Sequence, residues 1–352
     1  MPKRVVIAMS GGVDSSVSAA LLQKAGFEVV GVFMKFWSEN SKDDSGNRCC
    51  SSESESRARQ VAATLGIPFY VFNFAEEFKE KIVDYFLKEY EGGRTPNPCV
   101  VCNKEIKFGL LLEKSLAMDA DFIATGHYVK TKITKTGRVK ILKAADSQKD
   151  QSYFLWQLSQ EQLKHVLFPV GDYTKTKVRN LAKKFKLPFY GVSESQEVCF
   201  IQTTLVDFLS RHLKTEPGQI LQNGKEIGRH KGLPFYTIGQ RKGIGLSGGP
   251  FYVVEKDFKK NALIVSSSTD DKKLYSQGLI AENLNWIAGE MPKLPLRMMA
   301  QVRYRHRATS AAITKKGKKV KVVFAKPQRA ITSGQSVVFY KGKELLGGGI
   351  IC

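Results

Sequence analysis

The chain has 352 residues, of which 42% are hydrophobic and 25% charged, a composition that allows two or three folded domains and excludes a disordered or fibrous protein. Its 55 lysines and arginines exceed its 33 aspartates and glutamates and leave a net charge of +22, which points to a polyanionic partner, with nucleic acid ahead of a membrane. No stretch approaches the roughly 20 apolar residues of a membrane span, and the N-terminus lacks a secretory leader pattern, so we expect a cytoplasmic protein without a membrane partner.

Strands and helices alternate in the first part of the chain. Apolar runs predict strands at 4–9, 28–37, 67–74 and 121–129. Apolar residues at helical spacing predict helices at 16–27, 52–66 and 75–90. This alternation predicts an α/β domain at 1–205 with a doubly wound parallel sheet, whose ligands bind at the carboxyl ends of the strands. The segment 91–106, rich in Pro, Gly and Cys, is predicted to be a long functional loop.

Beyond about residue 205 the pattern changes to short β-rich runs separated by glycines. We expect a small central β-rich domain at 206–273 and a closed antiparallel β-barrel at 274–352. The last 79 residues hold 14 basic and three acidic residues, a net +11. The barrel therefore carries half of the net charge of the chain, which predicts that it contacts nucleic acid. The alternative is a generally basic surface, with a solvated hairpin tip at 315–319.

The strongest chemical motif is SGGVDSS at 10–16, between a predicted strand and a predicted helix. Glycines in such a turn let successive N–H groups and the helix N-terminus face one anion, and the serine hydroxyls add donors. The motif therefore predicts a phosphate loop. It is neither a Walker A loop nor a dinucleotide G-x-G-x-x-G. A chance glycine turn after a strand is the alternative.

The cysteines form a second candidate site. Six are present, too few and too unevenly spaced for a disulfide framework in a chain of this length. Cys99 and Cys102 form a C-x-x-C, and Cys199 lies in EVCFI. A structural zinc site would need further ligands that the sequence lacks, whereas a redox pair, or three ligands of an iron–sulfur cluster, stay open. The remaining three have no comparable context and are expected to be ordinary: Cys49, Cys50 and Cys352.

Seven motifs occur in order along the chain: SGGVDSS (10–16), NPCVVCN (97–103), GHY (126–128), KDQSYFLW (149–156), EVCFI (197–201), GLPFYTIGQRKG (232–243) and RYRH (303–306). As an ordered set they resemble the tRNA-specific 2-thiouridylases, the MnmA family, of the PP-loop ATP pyrophosphatase superfamily. The resemblance implies an adenine nucleotide α hydrolase-like first domain. It also implies that sulfur replaces the C2 oxygen of wobble uridine 34 in Lys, Glu and Gln tRNAs, with ATP converted to AMP and pyrophosphate.

The resemblance also implies roles for individual residues. Cys199 would carry a persulfide delivered by a cysteine desulfurase or a sulfur-relay protein, Cys102 would be the partner nucleophile, and Cys99 would be an auxiliary where many members carry an acidic residue. ATP would be bound by Ala8, Met9, Ser10, Gly11, Gly12, Val13, Asp14, Ser15, Met34 and Gly126, with Asp14 also holding Mg²⁺. Contacts with tRNA would come from Asn97, Pro98, Cys99, His127, Lys149, Asp150, Gln151, Arg303, Tyr304 and Gln335. A persulfide route needs no metal, so it is favoured over an iron–sulfur cluster.

The segment 303–307 alternates basic and other side chains, as on a barrel strand. On a strand, Arg303, Arg305 and Arg307 would share one face and form a track for phosphates. A solvated face is the alternative. The aromatic residues in KDQSYFLW are expected to be core residues more than base-stacking platforms. Two rival functions are another PP-loop amidotransferase or synthetase, and a noncatalytic tRNA-binding or redox protein with a vestigial loop.

Overall fold

The computed structural model describes residues 2–39, 51–191 and 198–352. The described part of the first 170 residues contains seven strands: β1 (Arg4–Ala8), β2 (Glu28–Lys35), β3 (Phe69–Asn73), β4 (Phe122–Ala124), β5 (Val129–Ile133), β6 (Val139–Lys143) and β7 (Val166–Leu167). Five of them form a parallel sheet in the order β3-β2-β1-β4-β7. The strand order reverses between β1 and β4, which is where ligands bind in open α/β sheets. The predicted parallel sheet is confirmed.

The strand predicted at 121–129 is shorter in the structure. Only Phe122–Ala124 belongs to the parallel sheet, and Val129 begins β5 in another sheet. The chain leaves the parallel sheet at Thr125 and Gly126 and turns toward the first helix, so the apolar run serves two sheets. Sequence periodicity does not show such a change of partner.

Helices cover the parallel sheet. Those before residue 92 are α1 (Val13–Lys24), α2 (Ser52–Leu65), and α3 (Ala75–Phe78), which continues through a π segment (Lys79–Asp84) into α4 (Tyr85–Glu91). The next helical stretch is α5 (Pro98–Cys102), a π segment (Asn103–Leu110) and α6 (Leu111–Leu116). Three further helices follow: α7 (Gln160–Leu163), α8 (Lys175–Lys184) and α9 (Leu205–His212). None of the helices within the described ranges is long and apolar enough to cross a membrane.

The loop prediction for 91–106 is wrong beyond residue 97. Pro98 occupies the first helical position, where its fixed φ and missing N–H favour a helix start. Val100, Ile106 and Phe108 then lie in the core, so tertiary burial stabilises a helix that the composition of the segment did not suggest. The C-x-x-C pair is consequently helical.

The central unit is a four-stranded sheet in the order β10-β11-β8-β9. Its strands are β8 (Gly218–Gln222), β9 (Lys225–His230), β10 (Tyr252–Asp257) and β11 (Ala262–Ser266). The last part of the chain forms β12 (Tyr275–Trp286), β13 (Leu296–Gln301), β14 (Thr309–Lys316), β15 (Lys319–Arg329), β16 (Ser336–Lys341) and β17 (Glu344–Ile351). These six antiparallel strands close into a barrel because β12 also pairs with β17. The predicted barrel is confirmed.

The barrel sheet is extended by a hairpin from the N-terminal part of the chain. Strands β5 and β6 pair with each other, and β6 pairs with β17 through Leu142↔Glu344 and Ile141↔Leu345. Lys140 Nζ donates to a Glu344 carboxylate oxygen at 2.8 Å across this junction. The parallel-sheet unit is therefore joined to the barrel by backbone hydrogen bonds, a connection that the sequence did not predict.

The strand predicted at 303–307 is wrong. Strand β13 ends at Gln301, and the chain turns before β14 with a hydrogen bond from His306 N to the Arg303 carbonyl at 3.1 Å. Arg305 has a φ of +66°, which no strand residue adopts. Tyr304 packs inward against Phe154, with ring centroids 4.4 Å apart. The three arginines therefore lie on a turn and do not form a strand face.

Candidate active site

The glycine-rich loop lies at the carboxyl end of β1, beside the point where the strand order reverses. Gly11 has a φ of +71°, and a Cβ there would lie 2.4 Å from the carbonyl oxygen of Ser54 in α2, so only glycine fits. Gly12 is the N-cap residue of α1. The Ser15 hydroxyl donates to the Gly12 carbonyl at 3.0 Å and accepts from Ser10 N at 3.3 Å. The first N–H groups of α1 have no intrahelical acceptor and face the loop as anion donors.

The loop after β4 closes on the same helix start. A Cβ on Gly126 would lie 2.7 Å from the Ser15 backbone nitrogen, so the close approach requires glycine. Met34 lies near the carboxyl end of β2, the neighbour of β1. The structure thus places all ten predicted ATP-binding residues along one edge of the sheet: Ala8, Met9, Ser10, Gly11, Gly12, Val13, Asp14, Ser15, Met34 and Gly126.

Asp14, in the first turn of α1, is bound by two side chains. Lys175 Nζ contacts both carboxylate oxygens at 2.8 Å, and the Tyr128 hydroxyl donates to Oδ1 at 2.6 Å. Lys175 is the first residue of α8, whose N-cap is Thr174, and is only 8% exposed. The sequence reasoning missed Lys175. The sequence feature that could have identified Lys175 is Thr174, an N-cap residue directly before it. The helix that they begin follows β7 and so starts at the same edge of the sheet.

The residues around Asp14 fit a magnesium ion only in part. In the portion of the chain that the structure describes, no group of three or more His, Cys, Asp or Glu side chains could hold a metal. Mg²⁺ often takes one carboxylate and completes its shell with waters and substrate phosphate oxygens, so one carboxylate suffices beside a triphosphate. Binding at Asp14 would require Lys175 to release the carboxylate.

The C-x-x-C pair lies at the start of a helical stretch that runs from residue 98 to residue 116. Asn97 precedes the helix and Pro98 opens it. Cys99 is exposed, whereas Cys102, one turn further, is 8% exposed and belongs to the main core cluster. The two cysteines therefore differ sharply in access to solvent.

Cys199 is half-buried and is followed by Phe200, which is 1% exposed. The Phe200 ring packs on Phe78 and Phe86, with centroid distances of 5.8 and 5.2 Å. The helix that carries Cys102 packs on the π segment between these two phenylalanines. Both cysteine-bearing segments are thus anchored on one helical stretch, 75–91.

Of the remaining cysteines, the structure describes only Cys352. Cys49 and Cys50 are outside the described residues. Cys352 follows β17 and is exposed, with its Sγ 3.6 Å from Lys319 Nζ. Its thiol is hydrogen-bonded to the side chain of Glu282 in β12, so it belongs to the surface of the barrel.

The segment 92–97, which leads into the C-x-x-C helix, is held by both later units. Lys256 Nζ from the central sheet donates to the Gly93 carbonyl at 2.7 Å, and burial lowers the pKa of Lys256 to about 8. The Thr95 hydroxyl is hydrogen-bonded to that of Thr237 at 3.0 Å. From the barrel, Gln335 Nε2 donates to the Thr95 carbonyl at 2.9 Å. The position of the C-x-x-C pair therefore depends on all three units.

A polar and aromatic cluster adjoins this segment. Tyr153 is buried, donates its hydroxyl to the Ser336 carbonyl at 2.9 Å, and is hydrogen-bonded to the Asn97 side chain. Burial raises the pKa of Tyr153, so its phenol stays protonated. The ring centroids of Tyr304 and Tyr153 are 6.0 Å apart, and Arg303 interacts electrostatically with the Tyr153 phenol. Four residues with predicted tRNA contacts converge here: Asn97, Arg303, Tyr304 and Gln335.

His127, which follows Gly126, lies between the nucleotide loop and the core. Its Nδ1 is 2.8 Å from the Thr125 hydroxyl, and its ring packs against two phenylalanines. Burial and the nearby Lys107 ammonium hold the pKa of His127 well below its ordinary value. The imidazole is therefore neutral at pH 7 and can offer a hydrogen bond or a stacking face, but no charge.

Lys149, Asp150 and Gln151 form a turn that contacts the residues on either side of the β5–β6 hairpin. Gln151 Oε1 accepts from Tyr128 N at 2.8 Å, and Asp150 accepts from Ala144 N at 2.9 Å. Burial raises the pKa of Asp150. Lys149 is half-buried. The amide and carboxylate of this turn thus serve its internal structure in addition to any contact with RNA.

Asn103 was not singled out in the sequence. It directly follows Cys102 and is 2% exposed. Its Nδ2 donates to the Phe154 carbonyl at 3.1 Å, while its Oδ1 is buried and has no hydrogen-bond partner among the described residues. A buried acceptor without a hydrogen-bond partner costs about 1–3 kcal/mol of folding free energy. The Asn103 side chain therefore places a polar group beside the buried Cys102 at a cost in stability.

A reversed strand order with a glycine-rich helix start at its carboxyl edge is typical of α/β domains that bind phosphate-bearing ligands. With the sequence SGGVDSS at that start, the domain resembles the PP-loop class of nucleotide-binding domains. Three family models match the chain: the tRNA methyl transferase HUP domain over residues 3–203, the tRNA methyl transferase PRC-barrel domain over 206–267, and the aminomethyltransferase beta-barrel domain over 276–351. Together they span nearly the whole sequence.

Three relatives carry the same name, tRNA-specific 2-thiouridylase MnmA. The chain is 44% identical to that of Clostridioides difficile (strain 630), with 100% of this chain and 98% of the relative aligned. It is 46% identical to that of Carboxydothermus hydrogenoformans (99% and 97% aligned) and 47% identical to MnmA 2 of Thermoanaerobacter sp. (strain X514) (99% and 97% aligned). The chain belongs to the tRNA-specific 2-thiouridylase family, as its motifs predicted.

Proposed function

We propose that the protein is an ATP-dependent tRNA 2-thiouridylase that replaces the C2 oxygen of wobble uridine 34 in Lys, Glu and Gln tRNAs with sulfur. Family membership supports the tRNA and the thiolation. The observation that carries the chemistry is the combination, in one α/β unit, of an anion-binding helix start at the strand-order switch point and two cysteine segments anchored on one helical stretch, 75–91. An anion site alone would fit many PP-loop enzymes, but the cysteines favour sulfur transfer.

The first half-reaction activates the base. A uracil C2 carbonyl is a weak electrophile, and oxide is a poor leaving group, so transfer of AMP to the oxygen makes the carbon attackable. The loop N–H groups at 10–15 would bind the pyrophosphate portion of ATP. Asp14 would hold the accompanying Mg²⁺, whose chemistry is to withdraw charge from the leaving pyrophosphate. Lys175, released from Asp14, would then neutralise a phosphate oxygen.

The second half-reaction moves sulfur. The terminal sulfur of a Cys199 persulfide attacks C2, and AMP leaves with the bonding electrons. Cys102 thiolate then attacks Cys199 Sγ, which breaks the bond between that Sγ and the transferred sulfur. The products are 2-thiouridine and a Cys102–Cys199 disulfide. The sulfur would come from a persulfide donor protein, such as a cysteine desulfurase or a relay protein.

We assign catalysis to residues 1–205 and much of the tRNA affinity to the barrel at 274–352, with 206–273 as a small central β-rich domain that helps to hold the segment 92–97. The net charge of +11 in the barrel supports this division. The barrel also holds the segment 92–97 through Gln335. RNA bound across the barrel would therefore lie close to the C-x-x-C helix, where Asn97, Pro98 and Cys99 could face the target base.

The function is tested by incubating the protein with tRNA, a persulfide donor and ATP labelled at the α phosphate. We expect labelled AMP together with 2-thiouridine, identified by mass spectrometry of tRNA nucleosides. C102S and C199S should each abolish 2-thiouridine, and C352S is the matched control that should retain it. Labelled ADP would contradict cleavage between the α and β phosphates. Stoichiometric iron in anaerobically purified protein, lost in C99S, C102S and C199S alike, would contradict the persulfide route.

A further inference from the structure

We propose that Cys99 is a resolving thiol, which takes over the Cys102 sulfur from the Cys102–Cys199 disulfide and presents it at the surface to a dithiol reductant. This inference rests on the proposed function, because that reaction leaves the enzyme oxidised after each turnover.

The first observation is the difference in access between the two cysteines of the C-x-x-C. Cys102 is 8% exposed and lies in the core cluster, whereas Cys99 is exposed. A protein reductant must bring its own thiolate into line with a disulfide sulfur. It can reach Cys99 directly, but the packing around Cys102 blocks the same approach to that sulfur. A disulfide that includes Cys99 is therefore the more accessible one.

The second observation is the helix geometry. Residues three apart on an α-helix have Cα atoms about 5 Å apart, from the 1.5 Å rise and 2.3 Å radius of the helix. Disulfides need Cα separations of ~4.4–6.8 Å. Cys99 and Cys102 occupy such positions in α5, so they can form a bond without unfolding the helix. The Cys99 thiolate is also held permanently near Cys102 Sγ, which raises its effective concentration.

The third observation is that the helix start does not move freely. The preceding segment is bound to the barrel by Gln335 and by the hydrogen bond from Thr95 N to the Ser333 carbonyl at 2.9 Å. It is bound to the central unit through Thr237. Cys99 therefore keeps its place beside Cys102 whichever partner Cys102 has bonded.

The exchange balances without a net change in oxidation state. The Cys99 thiolate attacks Cys102 Sγ, the Cys99–Cys102 bond forms, and the Cys102–Cys199 bond breaks. Cys199 leaves as a thiolate and takes up the proton that Cys99 gave up, so it is ready for a new persulfide. A dithiol protein of the thioredoxin type then supplies two electrons and two protons to reduce Cys99–Cys102, and is itself oxidised to a disulfide.

The test is a single turnover followed by thiol blocking and non-reducing peptide mapping. Trypsin releases Cys99 and Cys102 together in peptide 95–104 and Cys199 in peptide 187–211. In the wild type we expect the mass of peptide 95–104 to be lower by two hydrogen atoms than that of the reduced peptide, because it contains the Cys99–Cys102 disulfide. In C99S we expect peptides 95–104 and 187–211 to be cross-linked instead. Because Cys99 is exposed, the serine should not disturb folding.

Kinetics separate this role from the proposed function. C99S should still form the first equivalent of 2-thiouridine, but with a dithiol protein its steady-state rate, taken relative to its own first-turnover rate, should fall by about tenfold or more compared with the wild type. A small phosphine reductant should restore that rate. C352S is the matched control and should behave as the wild type.

Three results would overturn the inference. A cross-linked 95–104/187–211 pair as the stable product in the wild type would show that no exchange occurs. Full steady-state activity of C99D, which supplies a proton acceptor but no sulfur, would show that Cys99 only handles a proton. A full steady-state rate of C99S with the dithiol protein would show that the Cys102–Cys199 disulfide is reduced directly. Absence of 2-thiouridine in the wild type would instead refute the proposed function.

Discussion

Substitution of Lys175 by methionine tests how the nucleotide site is held together before ATP binds. The side chain is replaced by one of similar length without its charge, so the Asp14 carboxylate loses its ion pair. At 2.8 Å and an effective dielectric constant of about 20, the Coulomb attraction of the pair is about 6 kcal/mol before desolvation is subtracted. Removing one partner of a buried pair costs about 3–5 kcal/mol.

We expect K175M to fall at the lower end of that range, about 3 kcal/mol, because the Asp14 side chain is 21% exposed and can recover some hydration. The hydrogen bond from the Tyr128 hydroxyl to Asp14 also remains. The loss should appear as weaker protection of backbone amides in α1 and α8, measured by native-state hydrogen exchange without nucleotide. K175R is the control that keeps the charge.

A double-mutant cycle with D14N identifies the cause. If the ion pair is responsible, K175M should cost little in the D14N background, and the coupling free energy should reach about 2 kcal/mol or more. Additivity within about 0.5 kcal/mol would refute the reasoning, since it would mean that Lys175 acts only through packing. The same variants report on function, because K175M should also weaken binding of a non-hydrolysable ATP analogue.

Three further outcomes follow from the geometry. G126A should weaken ATP-analogue binding, measured by calorimetry, because its Cβ would lie 2.7 Å from the Ser15 backbone nitrogen. G191A, whose Cβ would meet no atom of the described residues within 4 Å and which lies outside the loop, serves as the control; equal affinities would contradict the close-approach argument. Burial lowers the pKa of Lys256 to about 8, so between that pH and the ordinary lysine pKa the unfolded state binds more protons than the folded state. Denaturant midpoints should therefore rise with pH through that window, and K256M should flatten the rise. Replacing the exposed Arg305 and Arg307 with glutamine should reduce the slope of log affinity for tRNA against log salt by about 0.7–0.9 per lost phosphate contact, and an unchanged slope would place the RNA elsewhere.

The sequence was sufficient to predict the elements whose signals are local. The glycine-rich loop after β1 and the closed barrel follow from glycine placement and from strand alternation, such as the buried Val320, Val322 and Phe324 of β15. The family followed from motifs in order. These features depend on short stretches of chain and survive without knowledge of tertiary partners.

The features that the sequence did not predict depend on distant partners. Lys175 meets Asp14 across 161 positions of sequence, and no local pattern connects them. The helix at 98–116 forms because its apolar residues are buried, although the segment 91–106 that spans its start is rich in Pro, Gly and Cys. In the turn at 303–307, the Tyr304 ring packs on Phe154. This contact with a residue distant in sequence cannot be read from the alternating pattern of the segment.

The shared sheet between the parallel-sheet unit and the barrel has a consequence for biosynthesis. Lys140 of β6 and Glu344 of β17 are 204 positions apart, and at ~5–20 residues per second the ribosome needs about 10–40 s to make the chain between them. During that interval the edge of β6 that later pairs with β17 has no neighbouring strand, although β5 pairs with the other edge. The segment 92–97 likewise has no barrel to hold it. The nascent chain thus emerges with its cysteine helix packed on the stretch 75–91 but without the barrel contacts of the segment 92–97, and the last eight-residue strand to be synthesised completes the barrel that makes those contacts.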